Sequence, residues 1–206
     1  MFARQPRPAI EMMAGLASVL RWPASFDAAQ ERLIVAVDAP DTPIRETARQ
    51  QVRDVLREIL GDVELISRPG QPIRVAGQVK TPGISVSHEA GLSLVAVHFG
   101  GPVGIDLLRM PEYPDWRAEL PTLAVDYLGP TIARQIAELP PIEQLACFAS
   151  AWTRHEARLK CLGLGLEEWS DLLENRLAPC QVDTLILPCG YIGAVATLTV
   201  AENPAA

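Results

Sequence analysis

The chain has 206 residues, 49% of them hydrophobic, so it can bury one large core or two smaller ones that share an interface. A formal net charge of −7 argues against a nucleic-acid-binding protein, whose affinity rests on a concentrated basic surface. The four cysteines form no Cys-x-x-Cys pair and the three histidines lack zinc-site spacing, which argues against a structural zinc site and for free thiols in a reducing cytoplasm.

The first forty residues add little to the prediction. Arg4 and Arg7 precede an apolar run from Ala9 to Leu20, but Glu11 interrupts the run and no clear cleavage site follows. We therefore do not expect a secretion signal. No apolar stretch approaches the ~20 residues that a membrane-spanning helix needs, so we expect a soluble protein.

The segment from Asp41 to Gly61 predicts the first long helix. The order Asp-Thr-Pro is typical of a helix start, and apolar residues then recur at helical spacing as far as Gly61. The opposite face carries a stripe of arginines at steps of four residues: Arg45, Arg49, Arg53 and Arg57. Such a stripe is either a solvated surface or a cluster that an anionic group can use.

Strands are predicted after a loop rich in proline and glycine. Ile84–Ser87, Leu92–Phe99 and Val103–Leu108 have β-like composition and are separated by short turns that contain glycine. These turns predict an antiparallel meander of the three strands.

The second half of the chain repeats this order of elements. A helical pattern runs from Pro140 to Leu162 with Gly163 as its stop, and Thr184–Leu187 and Tyr191–Val200 then predict a hairpin. Because a helix followed by strands occurs twice, we expect an α+β fold of two similar halves that meet near residue 100.

Asp106 is the first residue whose side chain could take part in catalysis or metal binding. Strand alternation places Ile105 and Leu107 on one face and Asp106 with Leu108 on the other. Aspartate is disfavoured in strands, so Asp106 is either the cap of the following turn or a metal ligand.

Trp152, Glu156 and Lys160 follow at steps of four residues and therefore share one face of the second long helix. A Glu–Lys pair at this spacing is usually a surface salt bridge. Because tryptophan normally points inward, its presence favours a charged pair at the edge of a partly buried cleft.

Ser87 and His88 stand at the end of the first predicted strand. A histidine at such a position is either a turn or packing residue, or part of a phosphate site together with the serine hydroxyl and exposed backbone N–H groups.

Taken together, these segments resemble the 4′-phosphopantetheinyl transferase superfamily, specifically its two-domain branch of the surfactin-synthetase-activating type. That branch shows Ser-His at a strand end, Gly-[Ile/Val]-Asp some sixteen residues later and a helix with Trp-x-x-Lys-Glu-[Ala/Ser]-x-x-Lys. The chain has Ser87-His88, Gly104-Ile105-Asp106 and Trp152-Thr-Arg-His-Glu156-Ala-Arg-Leu-Lys160 in that order. The resemblance covers residues 41–200.

The resemblance implies a fold and a reaction. The fold would be a pseudodimer with halves 1–100 and 101–206, each a long helix on a small antiparallel sheet, and with the active site at their interface. The reaction would move 4′-phosphopantetheine from coenzyme A to a serine of an acyl or peptidyl carrier protein and release adenosine 3′,5′-bisphosphate. Mg²⁺ would be the metal, and a cytoplasmic monomer without nucleic-acid or membrane partners is expected.

The resemblance also implies roles for single residues. Asp106 and Glu156 would hold Mg²⁺, and Glu156 would accept the proton of the carrier serine. Lys160 would neutralise the pyrophosphate. The expected contacts of coenzyme A are Ser87, His88, Arg53, Arg45 and Lys160, with Arg45 one residue out of step with the family pattern.

Three positions depart from the family pattern. Leu108 replaces a second acid, His155 replaces the lysine before the helix glutamate, and Gln71 replaces the lysine of a Gly-Lys-Pro turn. Because of these three differences, a second hypothesis stays open: the protein is a degenerate member of the family that binds coenzyme A or a carrier protein without catalysis. An unrelated α+β domain without a metal would require the ordered matches to be chance.

Overall fold

The architecture is that of a computed structural model that describes residues 15–17, 19–21, 31–39, 45–67, 73–77, 81–110 and 118–198. The strands are β1 Gly15–Ala17, β2 Leu20–Arg21, β3 Arg32–Asp38, β4 Leu65–Ile66, β5 Arg74–Val75, β6 Gly83–Glu89, β7 Leu92–His98, β8 Val103–Arg109, β9 Cys180–Leu185 and β10 Tyr191–Leu198. The helices are α1 Arg45–Leu60, α2 Leu120–Leu123, α3 Gly129–Ala137, α4 Pro141–Cys161 and α5 Asp171–Leu177, with a π-helical turn Ala124–Leu128. None of the helices in these ranges is long and apolar enough to cross a bilayer.

Two four-stranded sheets form the centre of the molecule. One has the strand order β2-β3-β7-β6 and the other β1-β9-β10-β8, and β4 and β5 form a separate pair. In chain order β3-α1-β6-β7 matches β8-α4-β9-β10, and in both sheets the last of these strands lies between the other two. The repeat of helix and strands is therefore present in the topology.

The predicted three-stranded meander is wrong. β6 and β7 pair antiparallel, but β8 pairs with β10 in the other sheet. The reason is β3, which the sequence analysis did not identify. β3 occupies the second edge of β7 and leaves β8 no place beside it. Its five consecutive buried residues, 33–37, also show that the first forty residues contribute a central strand.

The sheets stack face to face, with α1 outside one and α4 outside the other. Because side chains alternate along a strand, each sheet contributes to two hydrophobic clusters, one on each of its faces. The cluster between the sheets includes Ile34, Leu94, Ile105 and Val195. The cluster under α1 includes Val35, Val55, Leu56 and Val95. The cluster under α4 includes Ala157, Cys161, Val182 and Ala194. The order of layers is therefore helix, sheet, sheet, helix.

The boundaries of the two long helices agree with the sequence where the structure describes them. α4 has proline at its first position and is followed by Gly163, whose φ of +66° ends the helix in the left-handed region. α1 begins at Arg45, and residues 41–44 lie outside the described ranges. The turn that contains Gln71 lies outside them as well. β1 belongs to the sheet of β8 to β10, so the division at residue 100 stays a prediction.

Gly104 lets α4 approach β8 closely. A Cβ atom at this position would overlap the carbonyl oxygen of Ala157 and the backbone nitrogen of Cys161, both of which are helix backbone. Only glycine therefore fits between the strand and the helix. Because Asp106 is two residues further along β8 on the same strand face, this contact also fixes the distance between Asp106 and α4.

Replacing Gly104 tests this contact. We expect Gly104→Ala to push α4 outward and to lower the free energy of unfolding by about 1–3 kcal/mol, the usual cost of overpacking. The matched control is Gly165→Ala, where a Cβ meets nothing within 4 Å and no positive φ is required. Urea denaturation of both variants is the measurement. Equal stability of the two would contradict a tight β8–α4 contact.

His155 carries a buried ring on a different side of α4 from Glu156 and Lys160. Its exposed fraction is 5%, and burial, followed by the positive charge of Arg158, lowers its pKa from 6.5 to about 4, against a smaller opposing effect of Glu174. The folded protein therefore holds this imidazole neutral. In the unfolded chain the same ring takes up a proton below pH 6.5.

The folded state should consequently lose stability as pH falls from 6.5 to about 4, because the unfolded state binds the extra proton. The gap of about 2.5 pH units corresponds to a loss on the order of 3 kcal/mol. We expect His155→Gln to remove this part of the pH dependence. The measurement is urea denaturation at intervals between pH 4 and 7, and the same slope in both proteins would refute the assignment.

Candidate active site

A charged cluster lies at the seam where β6 of one sheet meets β8 and α4. Lys160 Nζ is 2.6 Å from Asp106 Oδ1, and the Ser87 hydroxyl donates to the same oxygen at 3.1 Å. Asp106 is 7% exposed, whereas the Lys160 side chain is 31% exposed. The buried carboxylate therefore faces an ammonium group that still reaches solvent.

Ser87 also holds the two sheets together. Its hydroxyl accepts a hydrogen bond from the Leu107 backbone N–H at 3.2 Å, and Ser85 accepts one from the Ile105 N–H at 3.0 Å. These side-chain bonds satisfy backbone groups on the edge strand β8. The two serines thereby determine how β6 lies against β8.

Glu156 is the second carboxylate of the cluster. It is half-buried on α4, and its pKa is raised by burial first and then by the negative charge of Asp106, while Lys160 acts in the opposite direction. The repulsion between Asp106 and Glu156 shows that the two carboxylates lie within electrostatic reach of each other. Trp152, one turn before Glu156, packs against Tyr127 and Phe148 with ring centroids 5.6 Å apart in both cases.

The donor set fits a hard divalent cation. Mg²⁺ takes oxygen ligands and commonly uses one or two carboxylates, with water and substrate phosphates completing the shell. Asp106 and Glu156 supply two such carboxylates, whose mutual repulsion a cation relieves. In the described part of the chain no group of three or more His, Cys, Asp or Glu residues is arranged to hold a metal. Leu108, where the family often has an acid, is half-buried and apolar.

A cavity of about 460 Å³ lies between α1 and β6, on the other face of β6 from Ser87. Its floor is apolar, and the polar groups at its wall are mostly basic. The residues with polar side chains that line it are Arg49, Arg53, Ser67 and His88. Arg53 is 3.3 Å from Glu46 and Arg49 is 4.0 Å from it, in exposed pairs that solvent screens strongly. Both guanidinium groups therefore remain available to an anion.

His88 connects this cavity to the charged cluster. Its Nδ1 is 2.8 Å from the hydroxyl of the buried Ser93, which leaves Nε2 as the nitrogen free to meet a ligand. Partial desolvation lowers the pKa of His88, and the charges of Arg49 and Lys160 lower it further. An anion in this cavity would meet the guanidinium groups and the imidazole.

The structure brings most of the predicted site residues together. Asp106, Glu156, Lys160 and Ser87 form one cluster, and Arg53 and His88 line the adjacent cavity. The side chain of Arg45 lies outside the described part of the chain. Nothing in the structure tests the individual roles assigned to these residues, which stay predictions.

Sequence reasoning missed three residues near the site. Arg49 lines the cavity and was treated only as a member of the arginine stripe. Ser93 orients His88 from the neighbouring strand, a contact that requires knowledge of strand register. Glu89 is a third acid near Asp106; its pKa is raised by burial first and also by the Asp106 charge, while backbone hydrogen bonds from Arg109 and Ala90 oppose the rise. Only Arg49 carried a signal in the sequence, its spacing of four residues from Arg53.

Comparisons with known proteins point to the family that the sequence resembles. The family model described as the 4′-phosphopantetheinyl transferase superfamily matches residues 102–187, which contain Asp106, Glu156 and Lys160. The chain is 30% identical over 141 residues to the 4′-phosphopantetheinyl transferase HetI of Nostoc sp. strain PCC 7120. The match covers 63% of this chain and 56% of the relative, so the chain spans just over half the length of HetI. Residues 102–187 are thus similar to the 4′-phosphopantetheinyl transferase superfamily.

Proposed function

We propose that this protein transfers the 4′-phosphopantetheine group of coenzyme A to a serine hydroxyl of an acyl or peptidyl carrier protein and releases adenosine 3′,5′-bisphosphate. The observation that carries the proposal is the cluster of Asp106, Glu156 and Lys160 beside a cavity lined with cations. This arrangement suits a reaction whose negative charge develops on oxygens that bridge two phosphates.

The proposal includes the two-domain form of the family. The first half would be residues 1–100 and the second 101–206, joined as a pseudodimer with the active site between them. Its support is the repeated order of strand, helix, strand and strand, and the location of the cluster between β6 of the first half and β8 and α4 of the second. Because one chain would supply both halves, a monomer suffices, and coenzyme A would be met in the cytoplasm.

Coenzyme A would bind by its phosphates. Arg49, Arg53 and His88 would hold phosphate groups in the cavity between α1 and β6, and guanidinium groups can grip phosphate with two parallel hydrogen bonds. Lys160 would reach the pyrophosphate, since its ammonium group acts on both Asp106 and His88. Arg45 and the hydroxyl of Ser87 are further proposed contacts.

The reacting groups would be positioned by α4. Glu156 would accept the proton of the attacking serine, and its half-buried place one turn before Lys160 holds it beside the pyrophosphate position. Asp106 and Glu156 would hold Mg²⁺. The metal, when bound, would neutralise charge on the phosphate oxygens. The contact between Trp152 of α4 and Tyr127 of the π-helical turn holds the part of α4 that carries Glu156 against that turn.

A second candidate is a member of the family that binds coenzyme A or a carrier protein without transferring anything. Two observations favour it. Leu108 removes one possible metal ligand, and Lys160 forms a close ion pair with Asp106, an intended ligand. The two candidates differ in whether a carrier protein gains mass.

Transfer is measured by mass spectrometry of apo acyl and peptidyl carrier proteins incubated with this protein and coenzyme A. We expect an added phosphopantetheine mass with Mg²⁺ and none with chelator. Glu156→Gln and Asp106→Ala should each lower the rate at least about 100-fold, the effect of losing a base or a charge-stabilising group. Glu143→Gln, an exposed change near the start of α4, is the control and should leave the rate unchanged.

Either carboxylate variant with full activity would rule out the assignment of the metal ligands. If no carrier gains mass although coenzyme A binds, the noncatalytic member is the correct description. Circular dichroism of each variant separates loss of the site from loss of the fold.

Binding of coenzyme A tests the cavity beside α1. We expect Arg53→Gln and His88→Ala to raise the dissociation constant of coenzyme A by about tenfold each, the effect of one charge-assisted hydrogen bond. The matched control is Arg57→Gln, in the same arginine stripe but paired with Asp54 and absent from the cavity wall. Isothermal titration calorimetry is the measurement. An equal effect of all three variants would show that only the general charge of α1 matters.

A further inference from the structure

A second and larger cavity, of about 680 Å³, lies on the other side of α4. Helices α3, α4 and α5 and strand β9 surround it. Its volume is within the range of small-molecule sites. The apolar part of its wall includes Leu128, Ile132, Trp169 and Val182.

Three residues that line this cavity each carry a buried side-chain atom without a hydrogen-bond partner among the described residues. These atoms are Gln135 Oε1, Arg154 Nη1 and His155 Nε2. Across the described part of the chain one further side-chain atom, Gln51 Oε1, shares this condition. Buried polar groups without partners are costly, and three of the four such atoms in the described part of the chain belong to residues of this one cavity. His155, at 5% exposure, is the most deeply buried of the three residues.

When the neighbouring Arg32 is counted, three arginines stand against two acids around the cavity. Arg158 is paired with Glu174 at 2.8 Å, and Asp183 is paired with Arg32 at 2.6 Å. Arg154 forms no such close pair in the described residues; burial first and then the charge of Arg158 lower its pKa, while Asp183 acts in the opposite direction. A monoanion would balance Arg154 and restore the lost solvation.

The N-terminus of α3 adds a further attraction for an anion. Gly129, Pro130 and Thr131 line the cavity, and no side chain caps the start of this nine-residue helix. Backbone N–H groups of the first turn and the helix dipole both favour negative charge there. The ring of Trp169 packs directly on Gly129, where a Cβ atom would overlap it.

This cavity is separate from the proposed active site. Trp152, Glu156 and Lys160 occupy one face of α4, whereas Ala151, Arg154, His155 and Arg158 face the cavity. At about 100° per residue, Glu156 and Lys160 lie about 100–160° around the helix from Arg154, His155 and Arg158. A molecule in the cavity would therefore contact α4 without touching Asp106 or Lys160.

We propose that this cavity binds a small organic acid that carries one carboxylate and a neutral hydrogen-bonding group. The carboxylate would pair with the Arg154 guanidinium, whose fork matches two carboxylate oxygens. The side chains of His155 and Gln135 would turn toward a hydroxyl or amide of the ligand and pair with it, and its apolar part would lie against Trp169 and Ile132. The site does not depend on the transfer reaction.

Two carboxylate probes and one neutral analogue test the site in the whole protein. The probes are mandelate and N-acetylglycine, and the neutral analogue is mandelamide, which keeps the shape of mandelate without its charge. The readouts are calorimetry and the indole N–H resonance of Trp169 in a ¹⁵N–¹H spectrum, assigned with Trp169→Phe. We expect saturable binding of at least one carboxylate, a shift of this resonance, and at least tenfold weaker binding of mandelamide.

Variants identify the cation. Arg154→Gln should weaken binding at least tenfold, and Arg154→Lys, which keeps the charge, should weaken it less. Arg57→Gln and saturating coenzyme A should leave it unchanged. The proposal is overturned if neither carboxylate binds at tens of millimolar, if mandelamide binds as well as mandelate, or if coenzyme A competes. The comparison of probes in the unaltered protein holds even where an Arg154 variant fails to fold.

Discussion

The hydrogen bonds from the β8 backbone to the hydroxyls of Ser85 and Ser87 are the constraint on which the site depends. β8 is an edge strand, and its N–H groups on this side have no backbone partner in a neighbouring strand. The serine hydroxyls of the other sheet accept these hydrogen bonds, so no backbone pairing between strands is given up. Because Ser87 also donates to Asp106 and is followed by His88 on the opposite face of β6, one strand links the carboxylate cluster to the basic cavity.

Helix α4 then sets the geometry on the far side of Asp106. The absence of a side chain at Gly104 allows the helix backbone to lie against β8, and Lys160 reaches Asp106 from there. One side of α4 holds the charged cluster, and another side closes a cavity against α3 and β9. Movement of the helix would affect both places, since they share its backbone.

The sequence predicted those parts of the fold that local physics determines. The 3.6-residue period, with proline before the helix and glycine after it, predicted the boundaries of α4 to within a residue. Strand alternation correctly placed Asp106 and Ile105 on different faces of β8. The partner of β8 was missed because strand pairing is a property of the whole sheet. A turn that contains glycine can lead to a third strand of the same sheet or to a strand of a second sheet. The presence of β3 beside β7 decides between these two arrangements.

The same division applies to the site. Asp106, Glu156 and Lys160 were found because an acid in a strand and a Glu–Lys pair beside tryptophan are unusual within short windows of sequence. Arg49 and Arg154 could not be recognised from the sequence, because their cavities form only when separate elements pack together. Arg49 lines a cavity between α1 and β6, and Arg154 lines one that α3 and β9 form with α4. In the sequence both are ordinary helical arginines. Their surroundings distinguish them, since Arg49 shares its acid with Arg53 at an exposed wall, whereas the half-buried Arg154 is left with a polar atom that nothing in the described chain satisfies. A buried guanidinium nitrogen without a partner is costly, and the larger cavity beside Arg154 has room for a ligand that could supply one.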